Sequence, residues 1–183
     1  MQITKTLYVT KRSQWRAWLK KNYKKEKEIW LIFYNKASNK PRLPYNDAVE
    51  EALCFGWIDS IVKKIDERTL AQRYSPRRKG SPMSQLNMER VRLMIKQNKM
   101  TPAGLDHFHD NDTSEEIKIK PDILKKLKSD KEVWKNFNNF PDHYKRVRIA
   151  GIEGYRENPK MFKSRLENFI KKSKKNIRYG QMT

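Results

Sequence analysis

The run Ile29 to Asn35, IWLIFYN, constrains the fold more than any other segment: it is continuously apolar and aromatic, of strand length, and followed by the turn-rich KASNKPRLP. A run of that kind predicts a buried strand, so neighbouring segments have to cover it. Lys11 to Lys25 places Trp15, Trp18 and Leu19 at helical spacing among lysines and arginines, which predicts an amphipathic surface helix. Tyr45 to Phe55 does the same with Ala48, Val49, Ala52, Leu53 and Phe55, and Pro44 and Gly56 punctuate its two ends.

From Trp57 to Ser75 the period changes. IDSIVKKI and LAQRYS flank the polar stretch Asp66-Glu67-Arg68-Thr69, the pattern of a β-hairpin. With those four residues as the loop, Ile65 faces Leu70 and Ile61 faces Tyr74, an apolar pairing on one face. The loop PRRKGSP follows, and Ser81-Pro82 offers an N-cap and first helical residue for a helix running to about Gln97. Further helices are expected over roughly 121–139 in two pieces, 141–153 and 159–173, the last with Phe162, Leu166, Phe169 and Ile170 on one side. The fold class that follows is α+β, a small antiparallel or mixed sheet packed with helices and a helical C-terminal part. It divides into a core over 1–110, an acidic, polar linker over 111–120, and a helical subdomain with a basic tail over 121–183.

At 183 residues the chain is long enough to bury a core without covalent staples. Its single cysteine, Cys54, excludes an internal disulfide, and its place between Leu53 and Phe55 marks a buried, inert thiol. His107 and His109 flank Phe108 among aspartates, but the segment lacks rigid ligand spacing, so neither a metal nor a cofactor is implied. No nucleotide-binding loop, nucleophile elbow or zinc-protease motif occurs, and Glu50-Glu51 and Glu115-Glu116 are adjacent pairs that do not face each other on a helix. The first residues carry no apolar run of signal-peptide length, and no segment approaches the roughly 18 apolar residues of a membrane span, so a cytoplasmic protein is expected.

Charge is the dominant compositional fact: 42 Lys+Arg against 21 Asp+Glu gives +21. Such a balance attracts polyanions. The excess runs along the whole chain, with 12 positive and 6 negative residues in 1–60, 13 and 8 in 61–120, and 17 and 7 in 121–183. General lysine enrichment accounts for it somewhat better than a specific partner does.

The helix after Pro82 holds the sharpest functional clue. Projected at 100° per residue, Met83, Leu86, Val91, Leu93 and Met94 share one arc, and Asn87 and Arg90 fall in its middle. An amide and a guanidinium on an apolar face need partners. Candidates lie in the preceding loop, with Arg77 and Arg78, and at the start of the hairpin, where alternation puts Trp57 and Asp59 on one face. Two readings stay open: an Arg–Asp network that locks the loop to the sheet, and a site in which arginines grip an anionic or planar ligand while Trp57 supplies a stacking face. Arg73 points away from Asp59 in the simple register and reaches it only across a bulge.

At these residues the chain resembles a known family. ALCFGWIDS (Ala52 to Ser60), QRYSPRRKGSPMSQLNMERV (Gln72 to Val91) and KMTPAGL (Lys99 to Leu105) resemble the YdeI/OmpD-associated, bacteriocin-protection family from about Trp30 to Leu105. The resemblance implies that Gly56, Trp57, Asp59, Arg73, Pro76, Arg77, Arg78, Ser84, Asn87 and Arg90 are the marked positions. Ser60 and Met83 stand where that family has glycine and tryptophan, and its C-terminal signature is a loose echo in YRENPKMFKSRLENF, through Arg156, Pro159 and Arg165. The resemblance brings no established reaction; the family's name records associations with bacteriocin tolerance and an outer-membrane porin, and implies a stress or bacteriocin-protection role.

Three functions are compatible with these features. The first is binding of a small anionic or planar ligand by Trp57, Asp59, Arg73, Arg77, Arg78, Ser84, Asn87 and Arg90. The second is nucleic-acid binding by the basic C-terminal helices, through Lys171, Lys172, Lys174, Lys175 and Arg178. The third is a small-molecule enzyme with Asp59 as acid or base.

Overall fold

In a computed structural model of the chain, residues 2–108 and 116–180 are described, and the chain divides into two units, Met1–Thr113 and Ser114–Thr183. The linker expected over 111–120 therefore lies outside the described residues in its first half; its second half has no regular structure.

The first unit is built on a four-stranded mixed sheet of order β1-β2-β4-β3. The apolar run forms β2 (Ile29–Tyr34), flanked by the short parallel β1 (Thr6–Leu7) and the antiparallel β4 (Thr69–Pro76). Beyond β4, β3 (Trp57–Asp66) forms the other edge. Ile29 stands opposite Tyr74 and Leu31 opposite Gln72. Ile29, Leu31 and Tyr74 enter one core with Trp15 and Leu19 of α1 (Arg12–Asn22) and Ala48, Val49 and Ala52 of α2 (Tyr45–Cys54). Burying the two large faces of Trp15 and Trp57 in that core contributes several kcal/mol, at roughly 25 cal/mol per Å² of apolar surface.

The hairpin differs from its sequence expectation. Its turn is the two residues Glu67-Arg68, with Asp66 opposite Thr69, because the Asp66 carboxylate accepts the Arg68 N–H at 2.7 Å and tightens the turn. The surplus residues of β3 are absorbed as irregularities between Asp59 and Val62 and between Lys64 and Asp66. Asp59, not Ile61, then faces Tyr74, and Lys64, not Ile65, faces Leu70. The expected apolar pairing is lost: Ile61, Ile65 and Leu70 are 42%, 48% and 40% exposed.

A turn later than expected, α3 (Gln85–Lys96) begins after Ser84, whose Oγ accepts the Asn87 N–H at 3.4 Å. The reason is that Ser81 is engaged elsewhere, donating its hydroxyl to the Arg78 carbonyl at 2.9 Å. Past α3, the segment TPAG forms the single turn α4 (Pro102–Leu105) and closes the end of α2. Thr101 donates both its N–H (3.1 Å) and its hydroxyl (2.6 Å) to the Cys54 carbonyl, one of the acceptors a helix end leaves unsatisfied. Gly104 is required by this approach, since a Cβ there would lie 2.4 Å from the Cys54 oxygen. Gly56, at φ +73°, turns the chain from α2 into β3 in a conformation that glycine adopts without strain.

Glu51 of α2, 1% exposed, is gripped from α1 by Arg12 Nε at 2.5 Å and Arg16 Nη1 at 2.6 Å. Arg12 also reaches Glu50 (2.8 Å) and Asp47 (3.2 Å), and Arg16 donates to the Lys99 carbonyl at 2.7 Å. This joins α1, α2 and the segment after α3 in one network.

The second unit contains α5 (Pro121–Lys128), α6 (Lys131–Asn139), α7 (Asp142–Glu153) and α8 (Pro159–Lys174). Their starts carry common helix-start punctuation: Pro121 and Pro159 in first turns, Asp130 and Asn158 as side-chain caps. Ile123, Leu127, Val133, Phe137, Tyr144 and Phe169 form its core. Among the described residues no helix is long and apolar enough to cross a membrane.

Removing Glu51 takes its carboxylate partner from Arg16 and one of three from Arg12, both of them partly exposed, at about 2–3 kcal/mol, below the cost of breaking a wholly buried pair. Glu51→Ala is therefore expected to lose that much stability in equilibrium urea unfolding followed by tryptophan fluorescence. A loss below about 1 kcal/mol, the range of an exposed pair, would show that the network is incidental.

Candidate functional site

A polar cluster sits where the first turns of α2 and α3 meet the start of β3. Strand pairing sets its floor: Asp59 lies directly opposite Tyr74, so both side chains project from one face of the sheet. Tyr45, the first residue of α2, donates its hydroxyl to Asp59 Oδ2 at 2.7 Å. Arg90 of α3, 2% exposed, donates Nη1 to Asn87 Oδ1 and Nη2 to Asn46 Oδ1, both at 2.8 Å. Its guanidinium carbon lies 5.9 Å from the Tyr45 ring centre. Arg90 thus ties the N-terminal turns of two helices together and sets both amide groups: each Oδ1 is turned towards the guanidinium, so each Nδ2 points elsewhere.

The electrostatics follow from burial in a charged neighbourhood. Burial first, then the hydrogen bond and field of Asp59, push the Tyr45 phenol up to about 12, against the opposing pull of Arg90. Tyr74 is driven further in the same direction, mainly by burial and then by Asp59 and Tyr45. Its hydroxyl is buried and makes no hydrogen bond among the described residues. Burial also lowers the Arg90 pKa from its ordinary value, opposed by Tyr45, Glu50, Asp59 and Tyr74. The arrangement can present amide N–H₂ donors to an anion in front of a buried cation, while the single phenol proton of Tyr45 is already given to Asp59.

Of the residues singled out from sequence, Asp59, Asn87 and Arg90 come together here. Ser84 caps the helix that carries two of them. Trp57 turns into the core instead: it is 1% exposed, its indole N–H goes to the Tyr23 carbonyl at 3.2 Å, and it packs edge-to-face on Trp18. The aromatic ring at the cluster is that of Tyr45. Arg77 holds its own loop, donating to the carbonyls of Ser81 (2.7 Å) and Pro82 (3.1 Å), while Arg78 is exposed. Arg73 lies on the opposite face, where it pairs with Glu28 at 2.6 Å and reaches Ser60 and Ser75. There it lines a separate shallow groove of about 680 Å³ with Thr4, Lys5 and Lys25. Thr4 and Arg73 hold the Glu28 carboxyl below its ordinary range.

Sequence reasoning missed Tyr45 and Asn46, which read only as the start of a helix, and treated Tyr74 as packing. Only the partners of Arg90 and Asp59 reveal their role. Cys54 is buried, and burial followed by Glu51 pushes its thiol up to about 11. His109 lies outside the described residues, and His107 packs beside Gly56. Among the described residues no group of three metal-ligating side chains gathers. In the second unit Lys171, Lys175 and Arg178 are exposed, Lys172 is half-buried, and Lys174 pairs with Asp130 at 2.7 Å.

Comparison with known proteins finds two families on the chain. The family described as Domain of unknown function (DUF8412) matches residues 7–107. The family described as Bacteriocin-protection, YdeI or OmpD-Associated matches residues 116–176. The second is the family whose resemblance the sequence carries, but its match covers the helical unit with the YRENPKMFKSRLENF echo, while the GWID and PRR motifs fall inside the first. No curated protein and no solved structure matches.

The raised Tyr45 pKa has a sign that can be measured. Its folded value lies above the ordinary phenol value of about 10, so its contribution to stability is complete below that pH and is lost as pH rises towards 12. Difference absorbance at alkaline pH between the native chain and Tyr45→Phe should show a phenol ionising near 12. Asp59→Asn should bring that ionisation part of the way back down, since burial remains; an unmoved midpoint would remove Asp59 as its partner.

Proposed function

Because the chain belongs, over residues 7–107, to the family described as Domain of unknown function (DUF8412), we propose its function from the polar cluster itself: it binds a small anionic ligand at Asn46, Asn87 and Tyr45, in front of Arg90. One observation carries this reading. The buried Arg90 guanidinium is held by two amide oxygens from two helix first turns, which leaves the N–H₂ group of each amide off the guanidinium, on residues that are exposed (Asn46) or half-buried (Asn87), with a positive charge beside them. The N-terminal turns of α2 and α3 add the positive ends of two helix dipoles. The exposed Arg78, in the loop before α3, supplies a steering charge. The half-exposed Tyr45 ring favours ligands with a planar part. The protective role in the description of the family matched by residues 116–176 would then be exercised through sequestering or sensing such an anion.

Thermal-shift measurements with inorganic phosphate, citrate and nucleoside monophosphates test the proposal. A ligand at a hundred times its Kd stabilises by about 2.7 kcal/mol, a shift of several degrees. Asn87→Ala should abolish that shift, and Arg78→Ala should weaken binding mainly through the association rate. Equal ligand shifts in the native chain and Asn87→Ala would remove the idea.

A further inference from the structure

The helical unit carries a charged corner that the ligand site leaves unused. Three helix ends meet there: the last turns of α5 and α8 and the first turn of α6. Asp130 caps α6 through the N–H groups of Glu132 (2.9 Å) and Val133 (3.2 Å) and at the same time takes Lys174 Nζ at 2.7 Å. Asn136 of α6 donates to the carbonyls of Ser173 (2.9 Å) and Lys174 (3.3 Å) at the end of α8. Lys128 Nζ stands 5.1 Å from the centre of the Trp134 ring, which brings the end of α5 to the same place. Lys125, Lys126, Lys128, Lys131, Lys171 and Lys175 are all exposed around this junction. The same turns hold only two acids, Asp130 and Glu132, and Asp130 is engaged by Lys174.

Helix dipoles explain part of the pattern, since cations are favoured at the C-terminal ends of α5 and α8. They do not explain Lys131, the first residue of α6, which stands at the positive end of its helix. We propose that this corner binds the phosphate backbone of a nucleic acid. Its charges are compact, mobile ammonium groups suited to phosphate contacts that position a backbone without reading bases. A lipid surface fits less well, because an interfacial helix buries an apolar face among headgroups. The apolar face of α8, Leu166 and Phe169, is taken up in the core of the unit, and the Trp134 ring lies beneath Lys128.

Fluorescence anisotropy of the full chain with a labelled DNA duplex of about 20 base pairs, from about 50 to about 200 mM salt, tests this. Binding should weaken roughly 500-fold over that range if about five phosphates are contacted. The triple variant Lys131→Gln, Lys171→Gln, Lys175→Gln should flatten the plot of log affinity against log salt by nearly 3, with an unchanged far-ultraviolet circular dichroism melt. A control triple on the other unit, Lys20→Gln, Lys21→Gln, Lys24→Gln, removes the same charge and should leave the slope intact. Equal flattening by both triples overturns the site in favour of general charge, and absence of binding at about 50 mM salt overturns it outright. Tighter binding to phosphatidylserine-containing vesicles than to the duplex, lost in the first triple, overturns it in favour of a membrane.

Discussion

Glu51 buried between Arg12 and Arg16 is the contact on which the first unit depends. A carboxylate taken almost completely out of water is tolerable only when its oxygens are met by charged donors, and here each oxygen receives one guanidinium from α1. The pair of arginines, one helical turn apart, fixes the rotation of α1 against α2 as firmly as the packing of Trp15 and Leu19 does. It also places Arg16 against the Lys99 carbonyl, so the chain after α3 is drawn in beside the end of α2. There Thr101 and Gly104 close the helix on the Cys54 carbonyl.

With α2 held along its length, its first turn has a defined position over the sheet, and the polar cluster follows. Tyr45 meets Asp59 because β3 starts directly after the turn at Gly56, and Asn46 meets Arg90 because α3 crosses the same end of α2. The motifs most visible in the sequence therefore divide by role. Gly56, Trp57, Arg77 and Gly104 serve the chain path: a left-handed turn, a core indole, a loop clasp and a close helix contact. Asp59, Asn87 and Arg90 carry polar groups to a shared place. A segment can be rich in recognisable residues while only a few of them face anything outside the protein.

The division into two units is matched by the two families found on the chain, one over each. Their charges are organised differently. In the first unit several arginines are consumed internally: Arg12 and Arg16 on Glu51, and Arg73 on Glu28. In the second, Arg156 is held bidentately by Asp122 and paired with Glu153, and Arg148 is flanked by the rings of Tyr144 and Tyr179. Most lysines stay at the surface, although Lys145 is buried and paired with Asp142. The overall excess of positive charge is thus a mixture of structural arginines and mostly solvated lysines, with the solvated lysines and the exposed Arg78 and Arg178 available to a partner.

The elements themselves were legible in the sequence because their signals are local. A continuous apolar run makes β2, helical spacing of Trp15 with Leu19 and of Ala48 with Ala52 makes α1 and α2, and the apolar face of Phe162, Leu166, Phe169 and Ile170 marks the last C-terminal helix. Of the site, Asn87 and Arg90 were legible as polar residues on an apolar face, and Asp59 as their candidate partner. Tyr45, Asn46 and the pairing of Glu51 were not, since nothing in the spacing of two adjacent glutamates says which helix their side chains will meet. The hairpin register also escaped, because two irregularities in β3, the first directly beside the turn, shift every partner beyond it. Secondary structure is dictated by neighbours along the chain, whereas register, charge pairing and the meeting of Tyr45 with Asp59 and of Asn46 with Arg90 depend on groups that become neighbours only when the chain packs.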